Sequence, residues 1–414
     1  MALILGVCLA FAAPERLRAQ TPSLDAMIGQ MLLVGFHGTS TRSKDAARIA
    51  RQIATGKIGG VILMDRNIRS PKQVSALTRS FLNTGHRLIP FVSVDQEGGR
   101  VQRLSVKKGF RAYPTASYVA RNYNPEKARQ IYNSMAQELA RAGFNLNFGP
   151  VLDLNLNRRN PVIGRPGRSY GADPEKVVAY ARAFISAHRQ AKVLTSVKHF
   201  PGHGSSWADS HKQFVDLSKT WKDIELEPYR ALVRANAIDT VMVGHLYHPA
   251  FSSNSRLPAT LTSTAIEGWI RGKLGFQGVV ITDDLEMGAI RRYYKLPTTL
   301  IKAVQGGSDI LMFSSSGSDP NFVARATKIL RDAVNSGKIP EQRIAQAYGR
   351  IVAMKRRLRG EAAPAPAKQM NQILQIKKTQ IPVQVRQPAQ TIQSKPTKLR
   401  RLKNFILRRA PAAQ

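Results

Sequence analysis

Residues 278–284 read GVVITDD: Val, Val, Ile and Thr in a row, a glycine in front and two aspartates behind. A strand with one wet face alternates apolar and polar side chains. An unbroken apolar run marks a strand covered on both faces, as strands of a parallel sheet are. Seven other runs share this character: MLLVGF (31–36), GGVILM (59–64), IPFVSV (89–94), FNLNFGPVLDL (144–154), VLTSVKHF (193–200), DTVMVGH (239–245) and SDILMF (308–313). Between them lie longer amphipathic stretches such as SKDAARIARQIATG (43–56), NPEKARQIYNSMAQELARAG (124–143) and DPEKVVAYARAFISAHRQA (173–191). Several open with Pro or Asp-Pro-Glu, as a first helical turn prefers, and some close on Gly. Eight buried strands alternating with helices predict an α/β fold, a single (β/α)8 TIM-type barrel. A doubly wound open sheet has the same periodicity; the count of eight favours the barrel.

The flanks differ from this frame. The opening run MALILGVCLAFAA is too short to span a bilayer as a helix, which needs about 20 residues. It has the length of a secretory h-region, so residues 1–20 are predicted to be a signal peptide cleaved after Ala19 or Gln20. An exported, periplasmic or secreted protein follows from that reading, and a cytoplasmic one if the run is not a signal. Cys8 is the single cysteine; its loss with the signal would remove disulfides, thiol nucleophiles and thiolate metal sites together. The barrel is expected over residues 21–360. Residues 361–414 are rich in Pro, Ala and Gln and are predicted to be a disordered basic tail. Its tip, KLRRLKNFILRRAPAAQ, would line up Leu399, Leu402, Phe405 and Ile406 if helical, an anchor for a membrane or anionic polymer, or a plain solvated tail.

Charge is the unusual bulk property. The chain carries 63 Lys and Arg against 26 Asp and Glu, a net +37, of which residues 361–414 hold +10 and residues 1–360 the other +27. Such a field attracts nucleic acid, anionic envelope polymers, acidic lipid or acidic glycan alike, and says nothing of the reaction. No internal repeat, zinc spacing or nucleotide-binding glycine loop is present, since neither GHG nor QEGGR opens a helix in the GxGxxG frame.

In a (β/α)8 barrel the chemistry sits where the strands end. The third run leads to Asp95, Glu97 and Arg100, the fourth to Asp153 and, further on, Arg168. The fifth leads to Lys198 and His199, the sixth to His245, the seventh to Asp283 and Asp284. One charge after a strand is usually a cap or surface ion pair; five strand ends converging on one rim are more than caps. After the fifth strand comes KHFPGHGSSWADSH (198–211), with three histidines, a lysine and an aspartate. His199 and His203 are separated by Phe-Pro-Gly, which cannot be the helical pair that presents two imidazoles to a metal, so no metal site is expected. A serine nucleophile is disfavoured by the lack of a GxSxG turn. Asp209 and His211 stand two apart, close enough in an extended loop for the carboxylate to hold the ring and raise its basicity. His203 is equally well read as a ring bonded into loop packing.

The fourteen-residue loop resembles the signature of family 3 glycoside hydrolases of the β-N-acetylglucosaminidase, NagZ-like type. VDQEGGRVQR (94–103), PVLDLN (150–155), IGRPGRSYGADP (163–174), MVGHLYHPA (242–250) and ITDDLEMGAI (281–290) follow in the family's order. The resemblance covers residues 25–358. It implies retaining hydrolysis of terminal β-linked N-acetylglucosamine, without metal or cofactor, by a monomer with a carbohydrate partner and no specific nucleic acid. On that resemblance Asp283 is the nucleophile, His211 the general acid/base and Asp209 its support; Asp95, Arg168, Lys198 and His199 surround the sugar. The natural glycan would be a GlcNAc-containing muropeptide or peptidoglycan fragment, which the positive charge favours, with the basic tail on an anionic envelope surface. A phosphorylase using the same pair, or a non-catalytic cell-wall glycan binder, are the alternative readings. A β-glucosidase of the wider family is disfavoured, because its acid/base comes from a second domain. Two departures stand out: GHLYHP where many relatives have AHI, and FSSSGS (313–318) where many have an Asn near the eighth strand.

Overall fold

The structure, a computed structural model, describes residues 22–253 and 255–361. The predicted leader and all but the first residue of the predicted tail lie outside the described residues. Eight parallel strands form the centre: β1 Leu32–Val34, β2 Gly60–Ile62, β3 Phe91–Val94, β4 Leu146–Asn147, β5 Leu194–Phe200, β6 Thr240–Val243, β7 Val279–Thr282 and β8 Leu311–Phe313. Each pairs with its sequence neighbour, and β8 returns to β1 with Leu32 opposite Leu311. The join between β7 and β8 is the thinnest, one parallel bridge from Ile281 to Ile310. It completes the ring, so the predicted barrel stands and the open sheet does not. All strand residues are buried, which is why the runs are continuous rather than alternating.

Helices cover the outside in the order expected. Pro125–Arg141 starts on Asn124, whose side chain accepts the Lys127 N–H, and Pro174–Gln190 starts on Asp173, which accepts the Glu175 N–H. Both have Pro in the first turn, where its missing N–H costs nothing. The fourth strand is shorter than the run FNLNFGPVLDL suggested. Pro150 has no N–H to give the ladder, so regular pairing stops at Asn147 and resumes only as a bridge between Val151 and Lys198. At the opposite end of the barrel from the polar loops, the last helix, Glu341–Leu358, is pinned to the strands. Arg343 and Arg350, with Arg271, converge on fully buried Asp309 just before β8, and Lys355 donates to Gln30 Oε1 and the Gly59 carbonyl, both at 2.7 Å.

Candidate active site

At the C-terminal ends of β3 and β5 lies a buried ionic network. Lys198 Nζ donates to Asp95 Oδ1 at 2.9 Å and meets Glu97 Oε1 at 2.7 Å. Arg168 clasps Glu97 with both arms, Nε to Oε2 and a terminal nitrogen to Oε1, each at 2.8 Å. Burial alone would push the Glu97 carboxyl up; the Arg168 guanidinium and the Lys198 ammonium reverse this and hold it far below the ordinary range. The same contest is won at Asp95, where Lys198 and Arg103 outweigh burial. Two carboxylates against Lys198 and Arg168, with Arg103 at the margin, make a charge-balanced wall that stays ionised at any working pH.

The next layer is the histidine loop. Asp153, at the end of the fourth run, accepts from His199 Nδ1 at 2.6 Å and from the backbone N–H of His199 and His203 at 3.1 and 2.8 Å. This fixes His199 in place, with Nε2 turned toward an Arg168 guanidinium nitrogen 3.4 Å away. His203 is buried, its ring held between the Ser206 and Ser210 hydroxyls at 2.8 and 3.1 Å, and burial lowers its pKa to about 4. It is a neutral packing residue. The loop is tied beneath by Glu225, whose Oε2 accepts the Gly204 N–H at 3.2 Å; burial raises that carboxyl to about 7. A β-carbon on Gly204 would collide with the Leu154 carbonyl, so this turn demands glycine.

Further out, Asp209 and His211 form the pair anticipated from their spacing. Asp209 Oδ1 accepts both the His211 backbone N–H, at 2.9 Å, and ring Nδ1, at 2.8 Å. Burial works against ionisation of Asp209, but the two contacts from His211 prevail and lower its pKa. With Nδ1 engaged, Nε2 makes no hydrogen bond among the described residues. The loop returns to the barrel where the Gly288 and Ala289 N–H groups donate to the carbonyls of His211 and Ser210. That return brings His211 within electrostatic reach of Asp283, after β7. Burial would raise Asp283; His245, His199 and His211, with the Asp284 N–H at 2.8 Å, lower it to about 2.

The two aspartates of TDD have different surroundings. Asp284 accepts from the Ser314 and Glu286 N–H groups, and burial raises its pKa to about 6. Its carbonyl accepts His245 Nε2 at 2.8 Å, while His245 Nδ1 meets Thr260 Oγ1 at 2.9 Å. Asp284 is thereby a connector between β7 and β8. Glu286 gathers the N–H groups of Ser315 and Ser316 and the Ser316 hydroxyl, which gives FSSSGS a structural purpose.

Asp95, Arg168, Lys198, His199 and Asp283 thus share one rim, with the Asp209–His211 pair on the loop above it. Sequence reasoning named Glu97 but gave it no part, although it is the centre of the network; its place two residues after Asp95 was the available signal. Arg100, named beside it, is exposed and outside the network. Glu225 was missed, because nothing in DIELEP marks it as the floor of a loop twenty residues earlier.

The Glycosyl hydrolase family 3 N terminal domain model matches residues 23–354. A β-hexosaminidase of Tolumonas auensis is 36% identical over 260 residues, 62% of this chain and 75% of that protein. One from Alkalilimnicola ehrlichii is 32% identical over 330 residues, 78% of this chain and 89% of the relative. Among solved structures, a glycoside hydrolase family 3 β-N-acetylglucosaminidase from Paenibacillus sp. str. FPU-7 superposes with a TM-score of 0.74 at 33% identity, covering 85% of this chain and 68% of that one.

Proposed function

The chain belongs to glycosyl hydrolase family 3, and from that premise we infer that it is a β-N-acetylhexosaminidase that releases terminal β-linked N-acetylglucosamine. We propose further that Asp283 is the nucleophile and His211 the general acid/base. The observation that carries this is a carboxylate held ionised by its surroundings, within reach of an imidazole whose Nδ1 is already taken by Asp209. In the first step Asp283 attacks the anomeric carbon while Nε2 of protonated His211 gives its proton to the departing oxygen. Asp209 steadies the imidazolium before transfer. In the second step the now neutral ring takes a proton from water, which cleaves the glycosyl–Asp283 ester. Retention of configuration follows from two inversions. Lys198, Arg168, Asp95 and His199 supply the polar wall around the sugar.

We propose an exported enzyme acting on carboxylate-bearing cell-wall fragments. The net +37 supports this, as does the apolar N-terminal run, which lies with the basic tail outside the described residues. Deleting residues 361–414 should release the enzyme from an anionic envelope fraction; retention would remove the tail from the proposal.

The test compares 4-nitrophenyl β-N-acetylglucosaminide with the β-glucoside, each with and without phosphate. Release from the N-acetyl substrate alone, indifferent to phosphate and lost in Asp283→Ala and His211→Ala, is expected. Phosphate stimulation with a sugar phosphate product would point to a phosphorylase, and folded protein inert on both substrates to a glycan binder.

A further inference from the structure

Three aromatic rings from three different loops meet beside the proposed acid/base. Phe214 lies three residues past His211, Tyr247 two past His245, and Tyr293 follows the short helix Gly288–Arg291 on which the His211 loop docks. Phe214 is the hub, its ring centroid 5.6 Å from Tyr247 and 6.0 Å from Tyr293. The segments of the first two pair as strands, Leu246 opposite Val215 and Tyr247 opposite Asp216, so their placement is fixed by backbone. Tyr293 is 55% exposed, so ring surface is open to a ligand from solvent.

Arg256 lies over this group, its guanidinium carbon 5.8 Å from the Phe214 centroid and 6.0 Å from that of Tyr247. Its one ionic contact among the described residues, to Asp216, is long at 3.4 Å, and its side chain is 75% exposed. A contact so exposed holds it weakly. The other donors of the guanidinium fork have no partner among the described residues. Nothing in the proposed chemistry at Asp283 uses any of these four residues.

We propose that Phe214, Tyr247, Tyr293 and Arg256 form the leaving-group subsite, which takes the departing sugar ring against the aromatic faces and pairs a carboxylate on that ring with Arg256. The inference rests on the hydrolase reading above. A pyranose offers an apolar face of C–H groups to a flat ring, and burying that face is what aromatic side chains do best at a wet surface. The planar guanidinium suits a carboxylate in two-point contact. Because Phe214 shares the loop of His211 and Tyr293 follows the helix on which that loop docks, a sugar seated there would have its glycosidic oxygen near His211.

Three substrates share the N-acetylglucosaminyl unit and differ in what leaves: N-acetylglucosaminyl-β-1,4-glucuronic acid, its neutral twin N-acetylglucosaminyl-β-1,4-glucose, and N-acetyl-β-glucosaminyl azide, which has no leaving ring. The wild type is expected to prefer the acid to its twin by about tenfold in kcat/KM. Arg256→Ala should erase that preference and leave the twin and the azide unchanged. Tyr293→Ala should lower both disaccharides by about tenfold and spare the azide. Both side chains are exposed, and thermal melts would check that the variants fold. Arg256→Ala that keeps the acid preference, or Tyr293→Ala that slows the azide as much as the disaccharides, overturns the subsite. A wild type that turns over the azide and twin but shows no acid preference overturns the carboxylate assignment. Failure on all three, and on the aryl glycoside, overturns the hydrolase reading and the subsite with it.

Discussion

The two halves of the rim are built by opposite means. Around β3 and β5, Arg168 and Glu97 show 9% and 6% of their side chains to solvent and are locked by several bonds each. On the loop above, His211 shows 61% and is held by a single carboxylate. Groups that only shape a pocket gain from burial, because in a low dielectric each charge-assisted bond is strong and losing a partner is costly. A group that passes a proton to a leaving group and then takes one from water has to face solvent in at least one step. The wall therefore contributes to folding stability and, in the roles proposed above, the loop to catalysis, and substitutions should divide along that line.

The contrast is broken most severely at Arg168. Arg168→Met would leave Glu97 to share Lys198 with Asp95, and should cost about 3–5 kcal/mol of folding stability, read from denaturant midpoints, with activity falling alongside. A variant as stable as the parent would mean that the network is not a scaffold. Next comes Asp209→Ala, which should leave the midpoint within about 0.5 kcal/mol while kcat drops about 100-fold on an alkyl glycoside. The loss should shrink with an activated aryl leaving group that needs little protonation. Equal losses on both would place Asp209 in loop architecture instead.

The smallest effect sharpens the comparison from below. Glu225 binds its proton more tightly folded than unfolded, so its contribution is present below about pH 4.5 and lost as pH climbs through about 7. Glu225→Gln cannot titrate there. Its stability relative to the parent should rise by on the order of 2 kcal/mol between those limits. Parallel curves would show that the loop floor relaxes when Glu225 ionises.

What could be read from the chain follows the same division. The eight barrel strands were visible because burial on both faces leaves runs that are mostly apolar, and TVMV and GVVIT are nearly pure, whereas the short strands Val215–Asp216 and Leu246–Tyr247 gave no such signal. The Asp209–His211 contact was visible because it is local, two residues apart. The partnership of Glu97 with Arg168 was not, since 71 residues separate them and only the closing of the ring brings them together. Likewise the fates of Asp283 and Asp284 depend on residues distant in sequence: His245 and His199 outweigh burial at Asp283 and lower its pKa to about 2, while at Asp284 burial prevails over the Ser314 contact and raises it to about 6.

The pairing of Leu32 with Leu311 has a consequence for how the molecule is made. The first strand of the ring waits for the last, so during synthesis β1 and its apolar face stay without a partner on one side until almost the whole barrel has left the ribosome. Contacts this distant in sequence form slowly, and a half-made ring offers open strand edges to other chains. A chain halted before β8 would thus present an uncovered parallel edge, and yield in the cell should depend more on protection of that nascent intermediate than on the stability of the finished ring.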